Sequence, residues 1–190
     1  MKAQLTQTAI QTIETYGTQK LSFRDLGAAV GIKAPSALYH FGSKEQLITH
    51  TIEVYAGQFF RLLEEKSAAL NSSNAKCHAL IDIFEETFYR SSYCLCGMLA
   101  AEASNLSSNA NQILRAFFDN LHRWTSETVS THPAYPGALQ ADSKAFLLIG
   151  LLEGGLLMDR LNQSDRYLTE IRHWVDQVIP TEPQENSDAI

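Results

Sequence analysis

The stretch LSFRDLGAAVGIKAPSALYHFGSKEQLI, residues 21–48, decides the fold. Ser22 stands three residues before Asp25 and Ser43 three before Gln46, so each serine opens a helix in the manner of a capping box. Gly31 separates the helix that begins at Ser22 from a second short one that runs to about Phe41. Pro35 lies in the first turn of that second helix, where backbone N–H groups lack intrahelical partners and a proline costs little. Gly27 and Gly31 let the two short helices cross closely, Gly31 by taking a turn conformation barred to most residues. Two short helices joined by a tight glycine turn describe a helix-turn-helix, whose second helix enters the major groove of DNA.

On a helical wheel at about 100° per residue, Ala34, Ala37, Leu38 and Phe41 gather on one arc. That arc is expected to face inward, against the helix carrying Phe23, Leu26 and Val30. Lys33, Pro35, Ser36, Tyr39 and His40 occupy the other arc, and their chemistry suits a nucleic acid. Pro35 and Ser36 offer a low surface for a thymine methyl and the backbone. Lys33 reaches a guanine edge or a phosphate, and Tyr39 and His40 donate to phosphate oxygens. Lys44 opens the next helix, where its charge and the free N–H groups favour an anion. Arg24 is placed to clamp a phosphate from the other side.

Residues 5–47 resemble the N-terminal domain of TetR-family transcriptional regulators, in the ordered combination G-I, P-S, Y-H-F and S-K-E. The resemblance implies base contacts from the third helix, and assigns DNA contacts to Arg24, Lys33, Ala34, Pro35, Ser36, Tyr39, His40 and Lys44. Leu38 departs from the pattern: it stands where many members carry an aromatic phosphate contact, a role that falls to the neighbouring Tyr39.

Net charge across the 190 residues is −6, which argues against indiscriminate coating of nucleic acid. Residues 1–48 nevertheless carry five basic against three acidic side chains, a net +2 that leaves −8 on the remainder. A mildly basic head on an acidic body suggests that only the head meets an anionic partner. No apolar run reaches the roughly 20 residues needed to span a bilayer. MKAQLTQTAIQTIETYG alternates polar and apolar residues, unlike a signal or transit peptide. Three cysteines make no disulfide framework, and a reducing cytoplasm is the expected home.

Apolar spacing is helical almost throughout, so the fold class is all-α with about nine helices. Leu5, Ala9 and Ile13 mark a first helix stopped by Gly17. The helix from Ser43 continues to about residue 70, and others follow over 75–90, in MLAAEAS, and over 112–130, 140–162 and 165–179. NSSN, SSYCLCG, NLSSNAN and THPAYPG are the joints between them. Three parts result: a helix-turn-helix domain over 1–48, an effector-binding and dimerisation domain over 49–179, and a polar, acidic tail over 180–190 that is expected to be disordered.

SKAFLLIGLLEGGLLMDRL is apolar around much of its circumference, more than a helix with one solvent face requires. With the amphipathic YLTEIRHWVDQVI it is expected to build a homodimer interface through Leu151, Gly154, Gly155, Met158, Ile171, Trp174 and Val178. The family resemblance also implies this four-helix interface. The middle helices are expected to enclose a pocket for a small hydrophobic or aromatic effector. Its candidate lining is Phe59, Phe60, Phe84, Phe88, Tyr89, Tyr93, Met98, Phe117, Phe118, Trp124 and Met158.

Cys94 and Cys96 lie at a helix joint, where a helix N-terminus lowers a thiol pKa, and form a candidate sensor of electrophiles or oxidants. Buried apolar behaviour is the alternative. His50, His78, His122, His132 and His173 are scattered singly, so no metal site is expected. Catalytic motifs and cofactor fingerprints are missing as well, and an enzyme is not expected. The expected function is a cytoplasmic, ligand-responsive DNA-binding regulator, a repressor released from a palindromic operator by its effector. The alternative is a helical ligand-binding or redox-sensing protein with weak or lost DNA binding.

Overall fold

Both serine caps read from residues 21–48 are made: Ser22 Oγ accepts the Asp25 N–H at 3.1 Å and Ser43 Oγ the Gln46 N–H at 3.1 Å. They start the second and fourth of nine α-helices that the computed structural model shows among its described residues, 1–130 and 139–179. The helices are α1 (Lys2–Tyr16), α2 (Phe23–Ala29), α3 (Ala34–Phe41), α4 (Lys44–Ser67) and α5 (Ser73–Tyr89). After a joint come α6 (Leu95–Ala101), α7 (Ser108–Ser130), α8 (Ala141–Asn162) and α9 (Arg166–Val178). The described residues contain no strand, and none of their helices is long and apolar enough to cross a membrane. The tail over 180–190 and the THPAYPG loop, 131–137, lie outside the described residues.

Helix starts follow side-chain oxygens more closely than the apolar pattern alone suggests. α5 begins at Ser73 because Ser72 Oγ accepts the Ala75 N–H at 3.2 Å. α7 begins four residues before the expected 112, at Ser108, because Ser107 Oγ accepts the Ala110 N–H at 3.2 Å. The turn between α2 and α3 closes as Ile32 N–H donates to Gly27 O at 2.8 Å, and Gly31 adopts φ +78°. A Cβ on Gly27 would stand 2.7 Å from the Ile32 carbonyl oxygen, so only glycine admits so close a crossing.

One continuous hydrophobic core runs from Leu5 and Leu26 in the head, through Leu47, Phe59, Leu80 and Phe117, to Leu152, Leu168 and Val175 at the far end. α4 passes through residue 48 without interruption, so the head and the body share its length. Gly155 lies against Ile171, whose Cδ1 would be 2.7 Å from an added Cβ, and α9 thereby packs closely on α8. Arg172 fixes α9 to α5 through Glu85 at 2.6 Å and through Asp82.

The α8–α9 corner depends on one buried carboxylate. Asp159, on α8, accepts the Tyr167 and Leu168 N–H groups at 2.8 Å each, and so satisfies two free donors at the start of α9. Asp159→Ala leaves both donors unpaired and is expected to cost about 2 kcal/mol. Asp159→Asn, which keeps one acceptor oxygen, is expected to cost about half as much. Urea unfolding midpoints of the three proteins check the order.

Candidate nucleic-acid interface

Within α3, Ala37 and Phe41 are buried and hold the helix against α1, α2 and α4. Phe41 also lies 5.5 Å beneath the Lys2 ammonium and 6.5 Å from the Phe23 ring. The opposite side is open: Lys33, Pro35, Ser36 and Tyr39 are exposed, while Ala34 and His40 are half-buried. Tyr39 is 87% exposed, the most of any large apolar side chain among the described residues.

Leu38 corrects the inward arc of the wheel, since it is 42% exposed. The buried stripe is narrow, centred between Ala37 and Phe41, and Leu38 falls at its edge beside Pro35. α3 is eight residues long and only Ala37 and Phe41 of it are buried. Leu38 therefore extends the open face as an apolar patch next to Tyr39.

The flanking cations are placed differently from one another. Lys33 occupies the N-cap position of α3 and points outward. Arg24 is exposed on α2 and lies 3.3 Å from Asp25. Lys44 opens α4, but its ammonium donates to the Thr18 carbonyl at 2.7 Å. That bond leaves two ammonium protons for an anion and fixes the head of α4 to the turn after α1. Thr18 is held from the body too: its N–H donates to Glu102 at 3.3 Å, and its hydroxyl donates to the same carboxylate. Lys44, Thr18 and Glu102 thus link the start of α4 to the end of α6.

The candidate pocket residues are dispersed. Phe84 and Phe117 are fully buried, and Phe117 packs against Phe59, Phe60 and Phe118 with ring centres 5.1–5.4 Å apart. Phe88 and Met98 are half-buried, Tyr93 lies 5.3 Å under the Arg160 guanidinium, and Tyr89 is exposed with its hydroxyl on Asp165. Trp124 borders a groove with Ser72 and Lys76, whereas Met158 faces outward from α8. Of the dimer candidates, Leu151 and Met158 are exposed and Gly154 is open on the same face. Gly155 and Ile171 pack within the chain, and Trp174 and Val178 are half-buried at the edge of the core.

Cys94 and Cys96 are buried at the start of α6, and all three cysteines are free thiols. Burial, reinforced by the Glu153 carboxylate, holds both thiols well above the usual cysteine range. This reverses the expected effect of the joint, because desolvation outweighs the dipole of a seven-residue helix. Cys94 receives the Tyr55 hydroxyl at 3.7 Å and hydrogen-bonds Glu153, whose Oε1 has no hydrogen-bond partner among the described residues. Glu153 itself is pushed up to about 7 by burial.

A carboxyl raised in the folded state contributes stability that is present below its unfolded pKa, near 4.5, and is lost as pH rises through about 7. Glu153→Gln is expected to reduce the loss of stability between pH 5 and pH 8 by about 2 kcal/mol, allowing for the unpaired amide it introduces. Denaturant midpoints measured at both pH values test this.

Sequence reasoning passed over Glu14 and Arg90, which face a cleft between α1, α4 and the end of α5. A signal was available: Glu14 follows Ile10 by four residues and so sits on the apolar stripe of α1.

A three-helix head with an open third helix, joined to a helical body, defines the class as a helix-turn-helix regulator fold. Residues 5–51 match the family model of bacterial regulatory proteins, tetR family. A crystal structure of a TetR transcriptional regulator from Legionella pneumophila is similar at a TM-score of 0.87 and 29% identity, over 94% of this chain and 97% of that one. A TetR-family regulator from Agrobacterium tumefaciens superposes at 0.86 with 21% identity, over 94% and 97% of the two chains. The reduced form of E. coli NemR superposes at 0.77 with 20% identity, over 95% and 97%. No curated protein matches the sequence. Residues 5–51 thus match the TetR-family domain, and most of the chain has the fold of TetR-family transcriptional regulators.

Proposed function

We propose that the protein is a cytoplasmic, homodimeric transcriptional repressor that binds a palindromic operator and releases it when a small molecule enters the body. The observation that carries this reading is the open face of α3, where Lys33, Pro35, Ser36, Leu38 and Tyr39 stand clear of the core that anchors Ala37 and Phe41. Lys33 and the patch formed by Pro35 and Leu38 suit base edges and thymine methyls. Arg24, Tyr39, His40 and the remaining donors of Lys44 suit phosphates on either side of the groove.

One head reads too few base pairs to be selective, and pairing doubles the site. α8 offers the surface: Phe146, Leu147, Leu151, Leu157, Met158 and Leu161 are all exposed along it, while Gly150 and Gly154 leave room for a second helix. A patch of this kind on a lone chain marks an interaction surface. Leu151→Glu places a charge at its centre and is expected to shift the protein from dimer to monomer in size-exclusion chromatography with light scattering. Release follows from differential affinity: an effector that favours a displaced α6 acts through Glu102 on Thr18 and Lys44, and changes how the two third helices meet successive grooves.

Selection from random duplex DNA tests the reading. Enrichment of an inverted repeat, bound with a steep salt dependence, is the expected result. A wild-type protein that enriches no sequence sinks it.

A further inference from the structure

Between α1, α4 and the end of α5 lies a cleft of about 540 Å³, within the size range of small-molecule sites. Ile10, Tyr55, Phe59 and Ile83 are buried along its floor, and Gln7, Gln11 and Arg90 are exposed at its rim. One lining group is out of keeping with such a floor. Glu14 is only 8% exposed, yet among the described residues its carboxylate makes no hydrogen bond and no ion pair. Arg90, the cation whose charge acts on Glu14, donates instead to Thr87 Oγ1 at 3.3 Å. Its position is set by the tight turn after α5, in which Ser91 has φ +60° and Ser92 N–H donates to Thr87 O at 3.1 Å.

A buried carboxylate without a donor is costly, and a ligand that brings a charged donor relieves that cost. The aromatic floor adds attraction for a cation and burial for an apolar body. We propose that this cleft is a small-molecule site for organic amines, with the ammonium group on Glu14 and the apolar body against Tyr55 and Phe59. The site joins α1 of the head to α4 and α5 of the body, and shares Tyr55 and Phe59 with the aromatic cluster around Phe117. Any effect of the amine on DNA rests on the proposed regulator; binding of the amine does not.

The charged state of the cleft gives the site a signature. Burial pushes Glu14 up to about 7, against the opposing pull of Arg90. Tyr55, which faces Glu14 from α4, is held well above its ordinary value by burial and stays neutral. An ammonium favours the carboxylate form, so binding expels a proton from the protonated fraction. Affinity for an amine therefore rises with pH between 6 and 8, by at most about tenfold per unit.

Calorimetric titration of the full chain without DNA, using 2-phenylethylamine, 2-phenylethanol and 3-phenylpropionate, tests the proposal. The amine is expected to bind at least tenfold more tightly than the alcohol, with the carboxylate weakest and with the stated pH dependence. Glu14→Gln keeps the shape and is expected to lose at least tenfold in amine affinity together with its pH dependence, while Glu65→Gln, on an exposed surface, is expected to change neither. Equal binding of the three compounds, no binding of the amine, or unchanged amine binding in Glu14→Gln overturns the proposal. A parallel DNA selection separates the two readings: amine binding without operator binding removes the regulator and leaves the site, and the converse removes the site alone.

Discussion

Tyr39→Ala is expected to weaken operator binding about 100-fold while leaving the melting temperature unchanged. The side chain is 87% exposed and its ring meets the His40 ring edge-on at 6.2 Å, so its removal takes little from the fold. In the proposed complex its hydroxyl donates to a phosphate, a hydrogen bond to a charged group for which about 1.5 kcal/mol is a modest value. The proposed dimer would lose that contact at each half-site, about 3 kcal/mol in total, and every 1.4 kcal/mol is tenfold in affinity. Tyr39→Phe separates the hydroxyl from the ring and is expected to account for most of the loss. Fluorescence anisotropy with a selected operator, at one fixed salt concentration, provides the measurement. A loss of less than about threefold for Tyr39→Ala means that the aromatic contact lies elsewhere, with Leu38 the next residue to replace.

Phe117→Ala carries the largest expected effect on stability, about 3–5 kcal/mol. Phe117 is 2% exposed and stands where α7 meets α4, with Phe59 at 5.1 Å, Phe118 at 5.2 Å, Phe60 at 5.4 Å and Tyr55 at 6.2 Å. Truncation removes the ring that all four share and leaves a space walled by aromatic faces. The helices carrying those faces are held by many other buried residues, so the space cannot fully collapse. For a chain of this size the loss corresponds to a fall of about 10 °C in melting temperature. An apolar cavity of this kind takes up benzene, which is expected to recover part of that fall. A variant that melts within about 2 °C of the parent shows that the cluster repacks freely.

The head was legible in the sequence because its instructions are local. Ser22, Ser43 and Gly31 act on backbone groups within four residues of themselves, and each does in the structure what its spacing implies. Leu38 was misjudged because a wheel gives direction but not the width of the contact. In α3 only Ala37 and Phe41 are buried, a narrower stripe than its apolar residues suggest. The body was harder to read because its decisive contacts are distant in sequence. Glu85, Glu86, Glu102 and Glu153 look alike along the chain, yet they meet Arg172, Lys66, Thr18 and Cys94 respectively. Nothing within a turn or two of any of them announces its partner. The thiols illustrate the same limit: a helix start is visible in YCLCGMLAAE, whereas the burial that decides their ionisation comes from helices elsewhere.

The joint at Thr18 has a consequence for anyone who wishes to exchange the reading heads of such proteins. A graft cut at the sequence boundary near residue 48 would carry Thr18 and Lys44 into a new host and leave Glu102 behind. The transplanted turn would then lose the carboxylate that receives both its amide and its hydroxyl. On the proposed function, such hybrids would recognise their operator yet respond poorly to the host's inducer. Moving positions 18, 44 and 102 as one inherited unit is the smallest transfer that keeps recognition and response in step.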